Sequence, residues 1–214
     1  MRTFYTLLVA LLALPAYAQR YEFGLHGGVS IYTDRTVTAT SAARGTAEGK
    51  AGFDTGIAAG FTLGNSMYDL LGGEVRYTYL RNDLKLTGGQ TVTFGGEAHA
   101  IHYDLLFHTA KFGSRVRPYI AVGGGAKYYR GTGAENAFQP QSDLAILTRT
   151  SEVRPMVSFG GGLKIAISER MLFRADVHDF FSEIPTKVIT PAPGASLSGW
   201  IHNFVPTAGI SFTF

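Results

Sequence analysis

The sequence of 214 residues contains no cysteine, which excludes a disulfide framework, a thiolate zinc site and a thiol nucleophile. After its N-terminal segment it has no apolar run near the ~20 residues that a membrane-spanning helix needs. Its formal net charge is only +3, too small to indicate a nucleic-acid partner. A membrane role would therefore have to be carried by strands, and a composition rich in glycine, phenylalanine and tyrosine permits this.

The N-terminal segment has the three parts of a secretory signal peptide. Arg2 supplies a positive charge, Leu7 to Leu14 form an apolar core, and Ala16-Tyr17-Ala18 is a small-x-small cleavage site. The apolar core is much shorter than ~20 residues, so a membrane anchor is the weaker interpretation. We predict a signal peptide at residues 1–18 and one mature domain at residues 19–214.

Alternation of apolar and polar residues predicts eight strands in the mature chain. They lie near residues 20–33, 50–63, 68–82, 94–110, 117–130, 152–167, 171–181 and 200–214. The connections alternate between long and short, and the first long one, residues 34–49, is polar and predicts a mobile loop. An even number of strands with short turns at one end and long loops at the other is typical of bacterial outer-membrane barrels.

The alternative fold is a secreted lipocalin-like barrel, in which the apolar residues point inward. Eight strands enclose only enough room for side chains to fill. The apolar positions of this chain include many large aromatic residues, such as Phe23, Phe61, Phe107 and Phe159, and these would overfill the interior. Volume therefore favours a barrel with its apolar face outward, in lipid.

Three segments resemble strands of one family of membrane proteins. The ending SFTF, at Ser211 to Phe214, resembles the closing strand of bacterial outer-membrane barrels. The segment RPYIAVGGGAKYY, from Arg117, resembles the Pro-Tyr-x-x-x-Gly-x-Gly strand of the OmpA-like membrane domain, and FRADVHD, from Phe173, looks like its penultimate strand. The resemblance implies an all-β, eight-stranded antiparallel up-and-down transmembrane β-barrel in the cell outer membrane. It also implies that the terminal aromatic residues Phe212 and Phe214 are the signal read by the barrel-assembly machinery.

Charged residues of both signs fall on the faces that this fold turns toward the lumen. Unpaired charges in a confined lumen would be costly, so we expect them to pair with one another. Glu74 with Arg76, and Arg174 with Asp176, are expected in mid-lumen because each pair is spaced i, i+2 on a central part of a strand. The predicted lumen charge network comprises Glu22, Asp54, Glu74, Arg76, Asp104, Arg117, Lys127, Arg154, Lys164, Arg174 and Asp176.

Four histidines, His26, His102, His108 and His178, also face inward in this register. His102 and His108 would lie about 20 Å apart on one strand at ~3.3 Å per residue, which is too far to share an ion. A metal site would need a cross-strand partner, such as His178 for His102, and the sequence does not place one. We therefore predict no metal and no cofactor.

Enzymatic function has weak support in the sequence. His99, Glu97 and either Ser142 or Ser151 are residue types that a lipid-modifying site could use, but they do not have the spacing of a known motif such as G-x-S-x-G. We predict no catalytic residues and no enzymatic activity. Several aromatic residues fit girdles at the two membrane interfaces: Tyr68, Tyr77, Tyr79, Tyr103, Tyr128, Tyr129 and Trp200.

The sequence thus predicts a small integral outer-membrane protein with a charge-plugged lumen and four surface-exposed loops. We expect a structural, adhesive or interaction role, with a narrow channel for small solutes as the alternative. The expected partners are outer-membrane lipid, lipopolysaccharide and the barrel-assembly machinery, with no nucleic acid. We expect the protein to be a monomer.

Overall fold

The computed structural model describes residues 20–41, 45–136 and 139–214. The predicted signal peptide, residues 1–18, lies outside the described residues. Within them, the chain offers no helix of the length and apolarity required for a membrane span.

Eight long strands form a closed antiparallel barrel, as predicted. Each pairs with the barrel strand before and after it, and pairing of the first with the last closes the barrel. Numbered in chain order among all strands, the barrel strands are β1 (Tyr21–Tyr32), β4 (Gly56–Ser66), β5 (Leu71–Arg81), β8 (Gly96–His108), β9 (Val116–Gly131), β11 (Ser151–Ala166), β12 (Met171–Glu183) and β16 (Asn203–Thr213). In the circular order of the barrel, β5 and β12 stand opposite each other.

The long connections fold into further strands above one end of the barrel. We call this end the loop end, the structure above it the cap, and the opposite end the turn end. The cap strands are β2 (Arg35–Ser41), β3 (Gly45–Phe53), β6 (Leu84–Thr87), β7 (Thr91–Phe94), β10 (Ala145–Leu147), β13 (Ile189–Pro191), β14 (Ala195–Ser196) and β15 (Trp200–Ile201). A five-stranded sheet has the order β14-β2-β3-β6-β7, a two-stranded sheet pairs β10 with β13, and β15 pairs with β12.

The prediction of a mobile loop at residues 34–49 is wrong, because β2 and β3 pair there as a hairpin. Residues 36–40 (TVTAT) alternate β-branched threonine with small apolar residues, a pattern that suits a strand. Val37 and Ala51, from the two strands of this hairpin, are fully buried in the apolar core. Burial of these apolar side chains stabilises the hairpin.

The outer face of the barrel is apolar, as predicted from side-chain volume. Large hydrophobic residues are exposed along every barrel strand, and this orientation excludes the lipocalin-like alternative. Exposed apolar residues that alternate with buried polar ones suit strands surrounded by lipid. They include Phe23, Leu25, Ile57, Phe61, Leu63, Val75, Ile101, Tyr103, Phe107, Ile120, Val122, Phe159, Val177, Phe204 and Phe212.

Two aromatic residues lie inside: Phe53, which the alternation along the predicted second strand would turn outward, and Tyr129, which is expected in the girdle. Phe53 ends β3 and is buried in the core, because the predicted second strand is two strands, β3 and β4, with a break between them. Tyr129 is on β9 but points inward and is fully buried, stacked on Phe53 with ring centroids 5.5 Å apart. The expected girdle therefore loses Tyr129.

Candidate functional site: the barrel lumen and its cap

The turn-end half of the lumen contains a network of charged side chains that crosses the barrel. Arg76 on β5 donates two hydrogen bonds of 3.0 Å each to the Asp176 carboxylate on the opposite strand β12. Its Nε and Nη2 also reach Oε1 of Glu74, both at 3.2 Å. Such charge-assisted, bidentate contacts fix the relative position of the groups they join. The barrel walls are therefore tied together directly across the lumen.

Arg174, also on β12, forms the second crossing. Its Nη1 donates to Glu74 Oε2 at 2.8 Å and to Glu22 Oε1 at 3.1 Å. Lys164 Nζ donates to the other oxygen of Glu22 at 2.5 Å. The side chains that are nearly inaccessible to solvent are Arg174, Glu74, Glu22 and Lys164. Each charge is therefore stabilised by its partners and not by water.

Neutral hydroxyl groups complete this network. Tyr119 donates to Asp176 at 2.8 Å and accepts from Arg174 Nη2 at 2.9 Å, while Thr207 donates to Asp176 Oδ1 at 2.7 Å. Sequence reasoning counted only charged residues and so missed these two as members. The period-two pattern was a usable signal, since it placed Tyr119 and Thr207 on inward faces.

Asp104 on β8 has different partners. His102 Nε2 lies 3.2 Å from its Oδ2 and His178 Nε2 lies 3.3 Å from the same oxygen, while Ser158 donates to it at 3.4 Å. Two glycines make room for the histidine rings. A Cβ at Gly125, opposite His102, would lie 2.6 Å from the His102 Cβ, and one at Gly160, opposite His178, would lie 2.6 Å from the His178 Cδ2.

The loop-end half of the lumen is apolar and continuous with the core of the cap. From the barrel come residues such as Leu80 and Phe180, and from the cap come residues such as Leu84, Leu147 and Ile189, all nearly inaccessible. One cation lies in this layer. The Lys127 ammonium donates to Asn203 Oδ1 at 2.6 Å and lies 4.6 Å from the ring centroid of Tyr32.

The predicted charge set divides by position. Nine members are buried inside the barrel: Glu22, Glu74, Arg76, Asp104, Arg117, Lys127, Lys164, Arg174 and Asp176. Arg117 donates to the backbone carbonyls of Ala110 and Asp69 near the turn end, and Lys127 lies in the apolar layer, so neither touches the carboxylates of the network.

Two predicted members are not buried inside the barrel, which corrects the prediction. Asp54 follows β3, and its side chain is 44% exposed beside Lys85 Nζ at 3.1 Å. Arg154 faces inward at the loop-end rim, where it pairs with Glu152 and Glu183 at 2.8 Å each. Both errors arise where a barrel strand meets the cap, since the alternation alone does not show where the barrel ends.

His99, for which the sequence predicts no catalytic role, lies on the outer face. His99 Nδ1 is 2.8 Å from the Tyr77 hydroxyl, and its ring packs against Tyr79 and Tyr128. Glu97 accepts from Tyr79 and Arg130. These contacts form an aromatic cluster on the barrel wall, with Glu97 and His99 each held by other partners.

Phe212 and Phe214 lie where the barrel closes at the turn end. Phe212 is on β16, paired with Phe23 of β1, and its ring is half exposed on the outer face. The backbone N–H of Phe214 donates to the carbonyl of Tyr21 at 3.0 Å, and the two rings stack with centroids 6.2 Å apart.

Comparison with known proteins agrees with this architecture. A family model described as the outer membrane protein beta-barrel domain matches residues 4–188. No curated protein matches the chain in sequence. The structure is similar to the N-terminal β-barrel domain of Pseudomonas aeruginosa OprF, with a TM-score of 0.52 and 14% identity over 92% of this chain and 99% of that one.

Two further solved structures share the fold. Neisserial surface protein A gives a TM-score of 0.50 and 14% identity over 90% of this chain and 97% of that one. Outer membrane protein AlkL gives 0.51 and 15% identity over 94% of each chain. In such barrels the short turns are periplasmic and the long loops extracellular. The chain belongs to the outer membrane protein β-barrel family and is a small β-barrel of the cell outer membrane.

Proposed function

We propose that this protein is a non-conducting barrel whose role, structural, adhesive or in binding another molecule, is carried by its folded extracellular cap. The observation that supports this most directly is the pair of crossings from β12 to Glu74 and Arg76 of β5 on the opposite wall. An ion that passes through the lumen would have to break these buried ion pairs. Each buried charge left without its partner would cost several kcal/mol.

The cap supports the same proposal from the other end. Its strands close the loop end with a mainly apolar core, and apolar side chains cannot replace the hydration shell of an ion. A cap built from paired strands also presents a defined surface to the outside of the cell. We infer that this surface, with outer-membrane lipid and lipopolysaccharide around it, is where partners bind.

Single-channel recording in planar bilayers tests this proposal. We expect the folded wild-type protein to show no steady conductance, and Arg130→Gln, a change on the outer wall, to be equally silent. A steady wild-type conductance that changes on Glu74→Gln would instead establish the narrow channel. Altered lipid A or phospholipid in cells expressing the protein, lost in His99→Ala, would establish a lipid-modifying enzyme.

We also propose that Phe214, with Phe212, is read by the barrel-assembly machinery, and that the mature barrel is a monomer. The support is the position of the two rings at the closing seam, where Phe212 is half exposed on the outer face and Phe214 stacks on Tyr21. Deleting Phe214 should lower the amount of heat-modifiable barrel in outer-membrane fractions, whereas Phe204→Ala, at the far end of the same outward face, should not. Equal amounts in both variants would contradict the role of Phe214.

A further inference from the structure

The carboxylates of the lumen network outnumber their cationic partners. Glu22, Glu74 and Asp176 are each within salt-bridge distance of Arg76, Arg174 or Lys164. Among the described residues, the contacts of Asp104 are instead the two histidines and Ser158. A buried carboxylate needs a compensating positive charge, and the three cations of the network are already paired with the other three carboxylates. The surroundings of Asp104 therefore favour a bound cation.

The spacing of three buried side chains fits a metal ion. Ligand atoms of Glu74, Asp104 and His178 all lie within 4.8 Å of one another, and His178 Nε2 is 3.3 Å from Asp104 Oδ2. For zinc bound tetrahedrally at about 2.0–2.1 Å, neighbouring ligand atoms are about 3.3 Å apart. His102 Nε2 lies 3.2 Å from the same Asp104 oxygen and is the candidate for the fourth position.

The histidine nitrogens are available for such an ion. Both rings are completely buried, and within the described part of the chain none of their nitrogen atoms has a hydrogen-bond partner of good geometry. Four such atoms in one place would be costly to leave without a ligand. The aromatic ring of Phe180 lies against both histidines, with centroids 4.9 and 6.1 Å away, and restricts their orientations.

A carboxylate lies beside the far nitrogen of His178, as is usual for metal-binding histidines. His178 Nδ1 lies 3.3 Å from Asp176 Oδ1, while its Nε2 faces Asp104. A hydrogen bond from Nδ1 to this carboxylate would select the tautomer that leaves Nε2 free to bind a metal. Asp176 is in turn held by Arg76, so the arrangement is supported by the rest of the network.

We propose that Glu74, Asp104 and His178 form a binding site for one divalent transition-metal ion of the zinc type, with His102 as fourth ligand. A ligand set that includes imidazoles suits zinc, cobalt or nickel better than magnesium or calcium, which prefer oxygen ligands alone. The ion would join β8 to β12 across the lumen. It would supply the positive charge that Asp104 otherwise lacks.

Cobalt(II) is a suitable probe because it replaces zinc and absorbs visible light. Untagged full-length protein would be extracted from outer membranes, stripped with a chelator and shown to be folded by heat-dependent gel mobility. Since the site is enclosed, Co²⁺ would be added both to the folded barrel and during refolding. We expect one tightly bound cobalt per chain after desalting, with the intense absorption of tetrahedral coordination, and displacement by Zn²⁺.

Single substitutions show which residues bind the ion. His102→Gln, His178→Gln and Asp104→Asn should each weaken cobalt binding by at least about tenfold. His108→Gln is the matched control, since His108 is also buried in the lumen but sits at the turn end against Tyr119. It should bind cobalt like the wild type.

Three results would overturn the proposal. One is a folded wild-type barrel that retains no cobalt by either loading route. Another is unchanged binding in folded His178→Gln, and the third is a loss in His108→Gln as large as that in the ligand variants. Failure of this site would leave the non-conducting barrel intact, because conductance is measured separately.

Discussion

The two halves of the lumen are both closed, but by opposite chemistry. The turn-end half is filled by ion pairs between strands, such as Arg174 with Glu74, and the loop-end half by apolar side chains, such as Leu80 and Phe180. In the turn-end half, each side chain is stable only while its partner is present, because an unpaired buried charge is costly. In the loop-end half, stability depends on volume, because apolar contacts have no obligatory partner.

The largest expected effect is removal of one shared charge from the turn-end half. Arg174→Met leaves Glu74 and Glu22 with fewer partners and should destabilise the barrel by about 3–5 kcal/mol. Urea unfolding in detergent micelles, followed by gel mobility without boiling, measures this loss. The control is Arg130→Gln, whose side chain is 51% exposed and whose pair with Glu97 should contribute less than about 1 kcal/mol. Equal stabilities for the two variants would refute the partner dependence.

The next largest effect is expected when a buried side chain of the loop-end half is made smaller, and this change should affect the cap. Leu84 of β6 is 1% exposed in the shared core, and Leu84→Ala should cost about 2–5 kcal/mol by leaving a cavity. We expect the cap to loosen while the barrel stays closed. Faster proteolysis of the cap, and a changed emission of the single tryptophan, Trp200, would report this.

Leu70→Ala is the matched control for that experiment, since Leu70 is 49% exposed in a turn at the other end. It should leave both proteolysis and emission unchanged. If Leu84→Ala instead abolished heat-dependent gel mobility, the cap and barrel would be one cooperative unit and the division into two halves would be wrong.

The smallest effect is expected for the cation in the apolar layer. The Lys127 ammonium contacts the Asn203 amide and aromatic rings. Its removal therefore leaves no carboxylate among these contacts without a positive partner. Lys127→Met keeps most of the volume and should change stability by less than about 1.5 kcal/mol. The same urea titration measures it against Arg174→Met. A loss as large as that of Arg174→Met would show that charge, and not volume, governs both halves.

Period-two patterning was sufficient to predict the barrel strands and their faces. Phe23, Phe61 and Phe159 point outward and Glu74, Arg76 and Asp176 point inward, as the alternation indicates. The reason is local, since successive side chains of a strand point to opposite sides whatever the strand pairs with. The same rule failed at Asp54 and Phe53, where the chain leaves one strand and enters another.

The sequence by itself determined the strand-based membrane fold, the outward apolar face and the identity of most buried charges. Tertiary structure decided which charges meet, that polar loop sequences pair as a cap, and that His102 and His178 converge on Asp104 from different strands. These features depend on barrel closure and on the stagger between strands far apart in the chain. A local period carries no information about either, because it describes one strand at a time.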